Sequence, residues 1–164
     1  MSVDQRHTSG QPVPLRRLTP AEPPQAEFIH LRLVDQARRA AGVLSALGTG
    51  SGERVAALLP MVPESVAVTM ACGRLDALRV SLGVEDHVEP LRERIRESGA
   101  RVVVTADAMR LGDRSYPAKA MIDRAVIGCP AVRTVLVVHR LGRPVPWRPG
   151  RDRWWHEALD TLEP

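Results

Sequence analysis

The sequence has few aromatic residues and few cysteines, and both shortages restrict what the chain can be. Three tryptophans, one tyrosine and one phenylalanine are the only aromatic side chains among 164 residues. A hydrophobic core must therefore be built from aliphatic side chains. Cys72 and Cys129 lie far apart in apolar surroundings. Two such thiols do not make a disulfide framework, so we expect reduced core cysteines in a cytoplasmic protein.

Lysine is also scarce, because Lys119 is the only one in a chain whose positive charge otherwise comes from arginine. The formal net charge is +4 and the pI is about 10.0. A nucleic-acid-binding surface would need clustered basic residues and aromatic stacking platforms. Here the arginines are scattered among acidic residues, as in residues 93–98, which favours a solvated charged surface. We therefore do not expect a nucleic-acid partner.

Long apolar runs and known catalytic motifs are missing as well. No uninterrupted apolar stretch approaches the roughly 18 residues of a membrane span, so no membrane partner is expected. The five histidines show no HExxH pattern and no metal-like pairing with the cysteines. No G-x-S-x-G elbow or G-x-x-x-x-G-K-[ST] loop occurs. The residues predict no catalytic group and no metal ligand; acidic side chains are expected at the surface, and His156 is expected to be partly buried.

The chain divides into a proline-rich leader and a region with regular patterns. Five of the 14 prolines fall within residues 1–28, amid polar residues, which predicts a disordered or loosely attached leader. Residues 29–164 are expected to form a single α/β domain. The glycine-rich segment at residues 48–52 follows a predicted helix and precedes a predicted strand. That order is the reverse of a phosphate-binding loop, so a turn is expected.

Apolar runs and helical patterns alternate through the rest of the chain. Three compact runs predict buried strands at residues 55–59, 102–105 and 134–139. Pro63 and Pro90 mark helix starts, the first of these helices having Val66 in its apolar stripe, and a closing helix is predicted from Arg151 to Leu162. Alternation of this kind indicates a partial doubly wound, mostly parallel sheet with helices on both faces.

Five stretches of the sequence are similar to a known family. They read LVDQARRAAGVLSALG (residues 33–48), GERVAALLPMVPESVAVTMAC (residues 52–72), RVVVTAD (residues 101–107), VRTVLVVHR (residues 132–140) and VPWRPGRDRWWHEAL (residues 145–159). The last is the most specific, because a Trp-Trp-His triplet after an Arg-Asp step is rare. On these motifs the chain resembles the AMP-forming acyl-CoA synthetases, most closely the acetyl-CoA synthetases. The resemblance covers roughly residues 30–160 and implies the N-terminal subdomain of an adenylate-forming enzyme.

The resemblance implies a ligase that joins a carboxylic acid to coenzyme A, using ATP and Mg²⁺. The family's Ser/Thr/Gly-rich loop, which holds the ATP phosphates, would follow the Trp-Trp-His helix, and no such segment is present. We therefore expect an N-terminal fragment that is inactive alone and needs no cofactor by itself. The alternative is a non-catalytic interaction module that pairs with a separately encoded remainder of the synthetase, or with an intact synthetase.

One family function could persist in the segment MRLGDRSYPAK (residues 109–119). In the family, an arginine-bearing loop here contacts the phosphates of coenzyme A, which makes Arg110 and Arg114 the candidates for cofactor binding. Guanidinium groups suit phosphate oxygens because they are planar, bidentate donors. The sequence departs from the family pattern at Asp76, where a glycine is expected, and at residues 81–87, where a Gly-Gly-Phe-Ser turn is expected.

Overall fold

A computed structural model of the protein describes residues 24–161, with side chains from residue 29 onward. The elements in chain order are α1 (Pro24–Ala46), β1 (Arg54–Leu58), α2 (Pro63–Arg74), β2 (Leu78–Ser81), α3 (Val88–Ser98), β3 (Val102–Ala106), β4 (Met109–Leu111), β5 (Arg114–Tyr116), α4 (Ala118–Val126), β6 (Thr134–Val138), β7 (Asp152–Trp154) and α5 (Trp155–Asp160). Within residues 24–161, no helix combines the length and the apolar character needed to cross a membrane.

Helix α1 begins earlier than the sequence pattern indicated. The pattern places the first folded residue near His30, whereas the helix begins at Pro24. Proline is well tolerated in the first turn of a helix, because the N–H that it lacks would have no partner there. Residues 1–23 lie outside the described part of the chain, so for them the loosely attached leader remains a prediction.

Five strands form one parallel sheet in the order β2-β1-β3-β6-β7. The three strands predicted from apolar runs, β1, β3 and β6, lie next to one another at its centre. Strands β3 and β6 are buried at every position, as expected for strands covered on both faces. The predicted α/β fold with a mostly parallel sheet is therefore confirmed.

Helices cover both faces of this sheet. On one face α1, α2 and α5 enclose a cluster that includes Ala37, Leu44 and Trp155, and the many alanines of α1 and α2 let these helices approach closely. On the other face α3 and α4 enclose a second cluster around Leu91 and Ile122. The core is almost wholly aliphatic, as the shortage of aromatic residues predicts.

Two predicted helical features are wrong. The closing helix does not begin at Arg151: residues Asp152–Trp154 form strand β7, which pairs with β6, and α5 begins at Trp155. The strand is favoured because it places Asp152 beside a buried lysine, described below. Val66 does not belong to the buried stripe of α2 and is 41% exposed, because this helix packs on α1 through Ala67 and Ala71 instead.

Candidate functional site

The segment predicted to contact coenzyme A is a β-hairpin rather than an irregular loop. Strands β4 and β5 pair antiparallel, and Gly112 supplies the left-handed residue of their turn with a φ of 59°. Met109 lies opposite Tyr116, and both side chains are buried. The Tyr116 hydroxyl donates a hydrogen bond of 2.9 Å to the carbonyl oxygen of Glu85. This contact fixes the hairpin to the loop between β2 and α3.

Arg110 and Arg114 are both exposed on this hairpin, but they lie on opposite faces of it. Arg110 is opposite Ser115, and Arg114 is opposite Leu111. Since directly paired residues share a face and successive residues alternate, Arg114 is on the face of the buried anchors and Arg110 is on the outer face. Among the described residues neither guanidinium is bonded to a carboxylate. The hairpin therefore presents two free cationic groups that point to different sides.

A buried ion cluster follows the hairpin and was missed by the sequence reasoning. Lys119, at the start of α4, is completely buried. Its ammonium group donates hydrogen bonds to Asp123 at 2.8 Å, to Asp152 at 2.9 Å and to the Pro146 carbonyl oxygen at 3.0 Å. The sequence offers one signal for this cluster: Lys119 is the only lysine of an arginine-rich chain. The cluster joins α4 to β7 across 33 residues of sequence.

Arg151 completes the cluster from the loop before β7. Its guanidinium bonds to Asp152 at 2.6 Å and also to Asp123. Burial would raise the pKa of Asp152, but hydrogen bonds from Arg151, from the Arg148 N–H and from Lys119 hold that pKa below its usual value. The hydrogen bond to Asp152 raises the pKa of Arg151 in turn. All four charges are thus paired, so the cluster fixes structure and offers no free acid or base.

A second buried carboxylate, Asp107, lies just beyond the carboxyl end of β3. It accepts hydrogen bonds from the backbone N–H groups of Ala108, Arg140, Leu141 and Arg143 at 2.8 to 3.2 Å. Burial raises its pKa, and these N–H groups outweigh that effect and leave the pKa lowered. Asp107 therefore positions the loop after β6. The prediction that acidic residues lie at the surface is wrong for Asp107 and Asp152.

Aromatic side chains gather beside β7. The rings of Trp147 and Trp154 stack with centroids 4.7 Å apart, and His139 contacts Trp154 edge-on at 5.6 Å. His156 lies 6.3 Å from Trp154. Contrary to expectation, His156 is exposed, because it is on the outer side of the first turn of α5 while Trp155 occupies the inner side.

Among the described residues there is no cluster of metal ligands, and the glycine-rich segment is not a phosphate-binding loop. No group of three or more His, Cys, Asp or Glu side chains between residues 29 and 161 could bind a metal ion. The glycine-rich segment at residues 48–52 is a turn between α1 and β1, as predicted, with positive φ at Gly48 and Gly52. Cys72 and Cys129 are free and buried, and burial raises the pKa of both thiols.

Comparison with known proteins gives consistent matches. The acetyl-coenzyme A synthetase of Halorhodospira halophila is 43% identical over 144 residues, covering 87% of this chain and 22% of that protein. The acetyl-coenzyme A synthetase of Coprinopsis cinerea is 39% identical and covers 81% of this chain and 20% of that protein. The chain thus spans about a fifth of the length of these relatives.

A solved structure has the same fold. The acetoacetyl-CoA synthetase from Streptomyces lividans superimposes with a TM-score of 0.69 at 24% identity, covering 79% of this chain and 20% of that one. The family described as AMP-binding enzyme matches residues 27–163, nearly the whole region that the sequence assigned to the α/β domain. The predicted resemblance is confirmed, and the chain belongs to the AMP-binding enzyme family.

Proposed function

We propose that this chain supplies the N-terminal α/β unit of an acetyl-CoA synthetase-like, AMP-forming ligase, and that it does not form an acyl-adenylate by itself. The observation that carries the proposal is 43% identity to an acetyl-coenzyme A synthetase over 87% of the chain. The unit covers only 22% of that relative. The four charges of its buried ion cluster are paired with one another, which suits a structural part of the enzyme better than a catalytic one.

Adenylate formation needs cations placed around the ATP phosphates, because charge develops there during the transfer. Among the residues between 29 and 161, the acidic side chains form no metal-binding group and the glycine-rich turn does not open a helix. These residues do not fit ATP or Mg²⁺. We therefore assign both to the remainder of the ligase and expect no cofactor on the isolated chain.

Of the family's ligands, we assign coenzyme A to the described residues. Its phosphates need exposed cationic donors, and Arg110 and Arg114 provide two. Because the arginines lie on opposite faces of the hairpin, they cannot clamp one phosphate from the same side. Arg110 shares its outer face with the Ser115 hydroxyl, a further donor, so we assign Arg110 as the main phosphate contact and Arg114 as the weaker one.

The interaction-module alternative has support of its own from the surface of the unit. Large apolar side chains are exposed around one groove, and this surface could pair with a separately encoded remainder of the synthetase or with an intact synthetase. The free, buried thiols also support a cytoplasmic location for either form.

ATP–pyrophosphate exchange with acetate tests the proposed function. Two samples are compared: the purified 164-residue chain, and a chimera of the H. halophila synthetase in which this chain replaces its matching segment. We expect no exchange above the blank from the chain and measurable exchange from the chimera. Turnover by the chain alone would contradict the inactive assignment. A soluble but inert chimera would contradict the assignment as a unit of the ligase.

A further inference from the structure

An open apolar groove of about 970 Å³ runs between α1, the β1–α2 loop and α5. Its apolar lining comes from Ile29, Leu31, Met61, Val66, Trp155 and Leu159. The groove is bordered by charges of both signs, including Asp35 and Arg39, which pair at 3.0 Å. An apolar centre with a polar border is the usual arrangement of a protein–protein interface.

The exposure of the lining is unusual for a free surface. Met61 is 96% exposed, and Ile29 and Leu31 are 67% and 63% exposed. Met61 follows Pro60 at the carboxyl end of β1, the edge of an open parallel sheet where ligands and partners bind. A contiguous exposed apolar surface of this kind is typical of an interaction site.

We propose that this groove is the surface on which the remainder of the synthetase docks. The docked segment presents apolar side chains to Met61 and Val66. The inference rests on the proposed function. It is supported by length, because relatives about five times longer contain a segment matching this unit and must pack the rest of their chains against it somewhere.

The position of the groove also favours this occupant. Helix α5 forms one wall, with Leu159 and Asp160 at the groove. A polypeptide that continues from α5 therefore starts beside the groove. Two other occupants, the chain's own residues 1–23 and a second copy of the chain, are outcomes that the test separates.

The test places a charged side chain in the groove of two proteins. The groove is open to water in the isolated chain and is covered by the rest of the enzyme in the chimera. Met61→Asp and Val66→Asp are made in the isolated chain and in the chimera with the H. halophila synthetase. Ile127→Asp is the matched control, since Ile127 is 80% exposed and follows α4 on the opposite face of the sheet. Thermal unfolding and sedimentation are measured for every variant.

We expect the groove variants to leave the Tm and mass of the isolated chain unchanged, because these side chains already face water there. In the chimera the same variants should lower the Tm by at least a few degrees, since the new carboxylate is buried without a partner. The control should change neither protein. A groove variant that is harmless in an active chimera would overturn the docking proposal while leaving the proposed function intact.

Other outcomes are also decisive. A lower Tm of the isolated Met61→Asp chain would assign the groove to residues 1–23, and a dimer that this substitution dissociates would assign it to a second copy. Either result overturns the proposal. If the chimera does not fold, the same substitutions are made at the aligned positions of the intact H. halophila synthetase. Unchanged stability there would overturn the proposal as well.

Discussion

The ammonium group of Lys119 lies 2.9 Å from the carboxylate of Asp152, and neither side chain has any exposed surface. The two residues come from α4 and β7, elements that are separated in sequence and joined here by charge. Burying a charge is tolerated only when it is paired and hydrogen-bonded, and both conditions hold at this contact. The pair therefore ties the edge strand of the sheet to the helix layer below it.

Removing the lysine charge should destabilise the protein strongly. Lys119→Met leaves Asp123 and Asp152 sharing one remaining cation, Arg151, and we expect the free energy of unfolding to fall by about 3 kcal/mol. Urea unfolding followed by tryptophan fluorescence measures the change. The double variant Lys119→Met/Asp152→Asn should recover part of the loss, because it also removes a carboxylate. If the double variant lost as much free energy of unfolding as Lys119→Met and Asp152→Asn lose together, the two charges would not be coupled.

Acid should destabilise the fold through Asp107. A carboxyl whose pKa is lower in the folded chain than in the unfolded chain stabilises the fold above the unfolded-state pKa, and this contribution is lost as the pH falls through the folded-state pKa. The lowered pKa of Asp107 therefore predicts stability that is level above about pH 5 and declines below about pH 4. Urea midpoints measured from pH 7 to pH 3 give the profile.

Asp107→Asn is the informative variant for that profile. It should be less stable at pH 7, since a neutral amide cannot accept all four backbone N–H groups, and its stability should depend less on acid. Asp113→Asn is the matched control, because Asp113 is exposed in the hairpin turn. Equal acid dependence in Asp107→Asn and the wild type would place the titrating group elsewhere.

Asp76 has a strained backbone, and substitutions there should rank in a specific order. Its φ is 54°, and it is the one non-glycine residue with positive φ among those that the structure describes. Its side chain accepts a hydrogen bond of 2.6 Å from Ser51, which compensates part of the strain. We expect Asp76→Gly to be more stable than Asp76→Ala by about 1 kcal/mol, because both variants lose the hydrogen bond but only alanine keeps the strain. Chemical unfolding of both variants checks the order; equal stabilities would contradict it.

The two hairpin arginines should differ in their effect on coenzyme A. In the active chimera, Arg110→Ala should raise the KM for coenzyme A by about tenfold, the size expected for one charged hydrogen bond. Arg114→Ala should raise it less, and kcat should change little in either. Arg94→Ala, an exposed arginine of α3, is the control. If neither hairpin variant changed the KM more than Arg94→Ala does, the coenzyme A assignment would be wrong.

The central part of the fold could be predicted because its signals are local. The runs that form β1, β3 and β6 are mostly apolar, and strands buried on both faces need that composition. Gly99 ends α3 with a φ of 65°, as a glycine at that position indicates. These features depend only on residues that are neighbours in the sequence, so they could be predicted from the sequence.

The features that escaped prediction depend on distant partners. Strand β7 is stabilised by its pairing with β6 and by the contact of Asp152 with Lys119. The residues near Asp152 carry no sequence pattern that predicts the pairing or the contact. The hairpin was not predicted because β4 and β5 are three residues long each, which is too short for a recognisable alternating pattern. Asp107 could have been suspected, because an acidic residue directly after a buried strand lies where several backbone N–H groups meet.

The lysine cluster also has a consequence for the order in which a ribosome-bound chain can fold. Lys119 leaves the ribosome well before Asp152, which is 33 residues further along. Until β7 has emerged, closing α4 over the sheet would leave the ammonium group with Asp123 alone, without Asp152 or the Pro146 carbonyl oxygen. That cost opposes early closure and keeps the nascent intermediate open. We therefore expect the unit to complete its packing in a late step, after β7 has been synthesised.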